Sequence, residues 1–227
     1  MQTNKQLGLS SQPTPHAFYF VMVDTRQHWD LVYGSKAADA VSWYQRHPDT
    51  SLAFIADSQL PYDTPLIDVG GGASTLVDHL LDAGYTDISV LDIAAHALSR
   101  SQARLGADKA PRVHWLVDDV TRFAPSRRYA LWHDRAVFHF LIDDASKAAY
   151  LAALRRSLVS GGTAIVATFA ADGPMRCSGL DVARYDAEAL HACFGDEFER
   201  MASGRDVHVT PWGAEQAFTY LRLRKRQ

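Results

Sequence analysis

Cysteine is scarce in this chain. Cys177 and Cys193 are the only two, at a spacing that suits no metal-ligand motif. They fit a reducing compartment, so a cytoplasmic location is expected and a bound metal is not. No run approaches the ~18 apolar residues that a membrane-spanning helix needs. The short apolar run from His16 to Val23 lacks the basic flank and small-residue cleavage site of a secretory signal. Charge of one sign is not in excess: the net charge is −3, which gives no electrostatic case for a nucleic-acid partner. The Arg222, Arg224, Lys225 and Arg226 cluster reads as a solvated basic terminus. Internal repeats are absent too.

What is present is one folded unit's worth of chain. At 227 residues and 47% hydrophobic content, a single domain with a full core is expected over residues 26–227. Residues 1–25 are expected to form a disordered extension, polar at first and carrying Pro13 and Pro15.

The informative stretch is residues 65–75, Pro-Leu-Ile-Asp-Val-Gly-Gly-Gly-Ala-Ser-Thr. Leu66, Ile67 and Val69 read as a short buried strand. Gly70, Gly71 and Gly72 let the backbone turn where a side chain would block a ligand. Ser74 can cap a following helix whose apolar face is Leu76, Val77, Leu80 and Leu81, with Gly84 as its stop. Such a strand, glycine turn and helix N-terminus seat a nucleotide-like ligand at the carboxyl end of a parallel sheet. Twenty residues past Gly72, Asp92 ends a second apolar run, Ile88 to Leu91, where a carboxylate suits a ribose diol. Asp68 lies two residues before the first glycine, and Thr75 stands where a dinucleotide fingerprint needs its third glycine. A carboxylate at Asp68 repels a pyrophosphate and attracts an ammonium or sulfonium.

The chain around it alternates strand and helix. Short helices are expected near residues 28–33 and 49–60. Trp29 lies in the first of these; Trp43 and Tyr44 lie between them, either packing the helices on the sheet or covering a ligand. A third strand, 113–117, runs into Asp118-Asp119-Val120. A fourth, 129–132, delivers His133-Asp134-Arg135-Ala136-Val137-Phe138-His139. This cluster sits at a switch point, although Asp134 and Arg135 also read as an ion pair and His139 as a packed histidine. A helix from Asp143 is expected to bury Leu151, Leu154 and Leu158 and to end at Ser160-Gly161-Gly162. The apolar strand 163–169 follows. The connection 170–185 holds Cys177, and strands near 198–209 and 216–223 close an antiparallel edge pair.

Asp68-x-Gly70-x-Gly72 resembles the Asp-x-Gly-x-Gly motif of class I S-adenosylmethionine-dependent methyltransferases. Trp132-His133-Asp134-Arg135, the aromatic N-terminal segment and Gly173-Pro174 are similar to the thiopurine methyltransferase branch. The inserted His133 and Cys177-Ser178-Gly179-Leu180 depart from that branch, so its substrate class does not carry over. The resemblance implies a Rossmann-like α/β fold: a seven-stranded, mostly parallel sheet with one antiparallel strand near an edge, helices on both faces, and an N-terminal helical lid. It implies S-adenosylmethionine as cofactor, held by Asp68, Gly70, Gly71, Gly72, Asp92, Ile93, Asp118, Asp119, Val120, Asp134 and Trp43. An acid at Asp119, or at Asp118, would accept from the adenine amino group. The acceptor would meet Trp29, Tyr44, Arg135, Phe138 and Cys177, with His133, Asp134, Arg135 and His139 as the catalytic candidates.

The expected activity is methyl transfer to a small thiol, selenol or amine, by a monomer or dimer with no nucleic-acid or membrane partner. Protein-lysine N-methylation on the same fold is the first rival. A nicotinamide-dependent oxidoreductase is disfavoured by Asp68 and Thr75. A non-catalytic cofactor-binding or partner-binding domain would need none of the cluster at residues 133–135.

Overall fold

The computed structural model describes residues 25–35 and 37–227. The expected extension lies outside the described residues except for Thr25, which opens the first helix. Nine strands are described: β1 Leu66–Val69, β2 Ile88–Asp92, β3 Val113–Val117, β4 Tyr129–Arg135, β5 Leu158–Phe169, β6 Arg176–Cys177, β7 Leu180–Asp181, β8 Phe198–Val209 and β9 Glu215–Lys225. Six α-helices accompany them: α1 Thr25–Ser35, α2 Asp49–Ala56, α3 Leu76–Asp82, α4 Ala95–Lys109, α5 Asp144–Ser157 and α6 Ala187–Phe194.

Seven strands form one sheet in the order β3-β2-β1-β4-β5-β9-β8, and β6 and β7 make a separate hairpin. Five strands from β3 to β5 pair in parallel; β9 runs antiparallel to both β5 and β8. This is the expected fold. The central strands β1 and β2 are buried at every residue, as strands covered on both faces must be. One face carries Trp132, Phe138, Tyr150, Phe194 and Phe198 beneath α5 and α6. The other packs Ile55 of α2, Leu76 and Leu80 of α3, and Leu98 of α4 against the sheet.

Several boundaries differ from the sequence reading. Helix α5 ends at Ser157, before the expected Ser160, because Leu158 already has extended backbone (φ −89, ψ 135) and pairs with Tyr129. Asp143 accepts from the Ser146 N–H and caps that helix. Strand β4 continues through His133, Asp134 and Arg135, which changes the geometry of that cluster. Ser74 does not cap α3 in the usual way: its Oγ accepts from Leu76 N at 3.1 Å, while Thr75 Oγ1 donates to Gln45 O at 2.8 Å and ties the helix start to the N-terminal segment.

Candidate active site

The carboxyl ends of β1, β2, β3 and β4 open into a cavity of about 140 Å³. One end is walled by Val69, Gly70, Leu91, Asp92, Ile93, Asp118, Asp119 and Val120. The opposite end is walled by Trp29, Tyr33, Trp43, Arg135, Phe140, Phe169, Cys177, Gln216 and Phe218. A neighbouring cavity of about 40 Å³ is lined by Tyr44, Ser51, Asp68, Gly71 and His133, and shares Tyr33, Trp43, Gly70 and Arg135 with the first.

The glycine turn is tight for a stated reason. Gly70 has φ +69, and a Cβ there would overlap Val137 Cγ2. Gly72 has φ +27, and a Cβ would come within 2.5 Å of Asp92 Oδ2. Both positions need a residue without a side chain.

Asp92 is buried at the end of β2, and its Oδ1 accepts from Ala94 N at 2.8 Å. Loss of water raises its pKa to about 7, opposed by the amides of Ala94 and Gly72 and reinforced by nearby Asp68. This carboxylate is short of donors, which is what a vicinal diol provides. Asp118 and Asp119 lie at the end of β3 as expected; Asp119 Oδ1 is engaged by Thr121 N and Oγ1 at 2.8 and 2.7 Å.

His133, Asp134 and Arg135 do not converge. Successive strand residues point to opposite faces, so Asp134 enters the core while its neighbours face the cavities. Asp134 is fully buried and outside both cavity walls; it accepts from Tyr150 OH at 2.6 Å, Val137 N at 2.8 Å and Phe138 N at 3.1 Å. Burial raises its pKa to about 6 despite these bonds. The expected catalytic and cofactor-binding roles of the Asp134 side chain are corrected: it ties β4 to α5 and to the turn after β4. The alternative reading, an Asp134–Arg135 ion pair, does not occur either.

His133 takes part in a buried chain. Its Nδ1 meets Asp68 Oδ1 at 2.7 Å and its Nε2 meets Ser51 Oγ at 2.9 Å. Ser51 Oγ lies 3.4 Å from Tyr220 OH, which accepts from Arg135 Nε at 3.1 Å. With hydrogen on His133 Nδ1, every link donates in one direction, from guanidinium to carboxylate. Asp68 is therefore held within the protein on one side, and its influence on a ligand reaches through the turn it supports.

Two further expectations are corrected. Phe138 is fully buried against Tyr150, Tyr185 and Phe194 on the far face, so it does not meet an acceptor. His139 is fully buried beside Phe140 and Phe169, outside both cavity walls, and desolvation, then the Arg135 charge, lowers its pKa to about 3. It is not placed to act as a base. Trp132 is also core, donating to Tyr150 OH at 2.9 Å. Tyr33, Phe140, Gln216 and Phe218 are wall residues that the sequence reading missed; the last two lie on β9, where alternation shows two faces but not which one meets a cavity.

Residues 66–162 match a family model described as "Methyltransferase domain". The matched segment is similar to that domain and covers less than half of the chain. It contains β1 to β4, the glycine turn and the start of β5. Among curated proteins, a segment of 121 residues is 22% identical to mouse (Mus musculus) EEF1A lysine methyltransferase 2, covering 48% of this chain and 47% of that protein. The chain thus spans about half the length of that relative.

Solved structures extend the likeness beyond the domain match. One described for the conversion of a disulfide bond into a thioacetal group during echinomycin biosynthesis aligns with a TM-score of 0.71 at 16% identity, covering 88% of this chain and 91% of that one. A SAM-dependent methyltransferase from Anabaena variabilis aligns at 0.68 and 14% identity, covering 90% and 96%. The N-methyltransferase NodS from Bradyrhizobium japonicum, in complex with S-adenosyl-L-homocysteine, aligns at 0.61 and 13%, covering 79% and 85%. The matched segment therefore sits in a Rossmann-like fold, shared with solved methyltransferases, that takes in most of the chain.

Proposed function

We propose that this chain transfers the methyl group of S-adenosylmethionine to a small-molecule nucleophile. The observation that carries the reading is one continuous cavity: one end has Gly70, Asp92 and Asp118 to Val120 at strand termini, the other is closed in by Trp29, Trp43 and Phe140. The residues fit the cofactor. Asp92 needs donors of the kind a ribose diol presents, the glycine turn keeps side chains off the ligand, and the acids at 118 and 119 can accept from an adenine amino group. When bound, the cofactor supplies an electrophilic methyl carbon on a sulfonium. The protein's share is to align the acceptor and keep water away, which the aromatic wall does.

The expected bases do not stand at the acceptor. His139 is sealed in the core, and His133 Nε2 is engaged by Ser51. A thiol, with an ordinary pKa of about 8.5, needs the least help with deprotonation, so a thiol or selenol is the preferred acceptor, with an amine next. The echinomycin-pathway likeness favours sulfur and the NodS likeness favours nitrogen. The aromatic segment resembling the thiopurine branch supports an enclosed acceptor without naming it.

Protein-lysine methylation is the second reading, favoured by the mouse relative. Calorimetric titration with S-adenosylmethionine, then turnover on a panel of small thiols, small amines and lysine peptides, tests both. Cofactor binding with small-thiol turnover is expected; turnover of lysine peptides alone would replace this reading with the second.

A further inference from the structure

The acceptor end of the cavity contains two buried polar groups whose bonding is incomplete. Gln216 is only 9% exposed, and its Oε1 has no hydrogen-bond partner. Arg135 Nη2 is likewise buried without a partner. The rest of that guanidinium is fixed: Nε donates to Tyr220 OH at 3.1 Å, Nη1 to Trp43 O at 3.2 Å, and the plane stacks 4.4 Å from the Phe218 ring centroid. The Tyr220–Ser51–His133–Asp68 chain holds Tyr220 in turn. One corner of the guanidinium remains to be used.

No carboxylate lies within ion-pair distance of Arg135 among the described residues. Asp206 faces Phe218 across the β8–β9 pair and has an unpartnered Oδ2, yet it is outside the cavity wall. His208 is committed to Ser42 O at 2.7 Å, and burial, then the Arg135 charge, lowers its pKa. A partly desolvated cation with a spare donor favours an anion, and a planar guanidinium favours a carboxylate.

We propose that the methyl acceptor is a small carboxylate, held by Arg135 Nη2 and the Gln216 amide against the Phe218 and Trp29 rings. This rests on the methyl-transfer reading above and names its substrate class. The carboxylate is an anchor; the nucleophile is a separate group on the same molecule. The Gln216 amide can present its oxygen to an acceptor N–H or O–H, or its NH2 to the second carboxylate oxygen.

Benzoate and its uncharged analogue benzamide are the probes, titrated calorimetrically into the full chain with and without S-adenosylhomocysteine. Benzoate is expected to bind at least about tenfold more tightly than benzamide, the size of one charge-assisted hydrogen bond. Arg135→Gln is expected to erase that difference, and Gln216→Leu to weaken benzoate about fivefold. Should Arg135→Gln fail to fold by circular dichroism, the wild-type contrast and Gln216→Leu decide. Equal affinity for the two probes, binding of neither, or a preference that survives both substitutions overturns the proposal. Failure of S-adenosylhomocysteine itself to bind would instead overturn the methyl-transfer reading.

Discussion

If Asp92 receives the ribose diol, as proposed, it links cofactor binding to pH, and the size of the effect follows from its surroundings. Without ligand its carboxyl titrates at about 7, chiefly through burial. A ribose diol that donates to it favours the ionised form and draws the pKa back toward the ordinary carboxylate range. Binding below pH 7 must then release a proton, and affinity falls by up to a decade for each pH unit below 7. Between pH 8 and pH 5 the expected loss is about 100-fold, or about 2.7 kcal/mol at 1.36 kcal/mol per unit. Asp134 titrates nearby, at about 6, but lies outside the cavity wall. The assay is S-adenosylhomocysteine titration across pH 5–8, in buffers of differing ionisation enthalpy so that the released proton is counted. Asp92→Asn should bind about 1–3 kcal/mol more weakly at pH 8 and lose most of the slope. A flat wild-type profile, or the same slope in Asp92→Asn, would refute the ribose assignment.

In the ligand-free protein both Asp92 and Asp134 have pKa values raised above the usual carboxylate value, to about 7 and about 6. They therefore favour the folded state at low pH, and that contribution is lost as pH rises through about 6 to 7; thermal melts should show Asp92→Asn losing stability less than wild type between pH 5 and pH 8. Gly70→Val should abolish S-adenosylhomocysteine binding and lower the melting temperature, since its Cβ would overlap Val137 and its φ is +69; unchanged binding would make the turn irrelevant to the ligand. Tyr150→Phe leaves Trp132 Nε1 without its acceptor and removes one of the three donors to Asp134. Urea unfolding should register about 1–3 kcal/mol. His139→Leu should change kcat on any accepted substrate by less than about threefold, whereas loss of the general base would cost about 10²–10⁴.

The sheet and the glycine turn at its carboxyl edge were legible because they rest on local rules. Apolar runs of strand length alternate with helical periodicity, and Asp68, Gly70, Gly72 and Asp92 fall at strand ends, where a parallel sheet must present them. The acceptor side was legible only in part. His133, Asp134 and Arg135 read as one cluster while the strand was thought to stop at Trp132; extending it by three residues sends Asp134 to the opposite face. Phe138 and His139 lie in a short 3-10 turn whose orientation is set by Asp134 capping its first amides. Gln216 and Phe218 belong to an alternating strand far along the chain, and only tertiary packing shows which face meets the cavity.

The position of β9 divides the cavity's two tasks between separate lengths of chain. Residues 66–162 supply the glycine turn and the acids, while Gln216, Phe218 and Tyr220 come from a strand beginning at Glu215. That strand is flanked on both sides, so its backbone is held by the ladders of β5 and β8 whatever side chains it carries. The cavity-facing side chains at 216 and 218 can therefore change without a change of ladder, whereas Tyr220 is tied through Ser51 and His133 to Asp68 beneath the glycine turn.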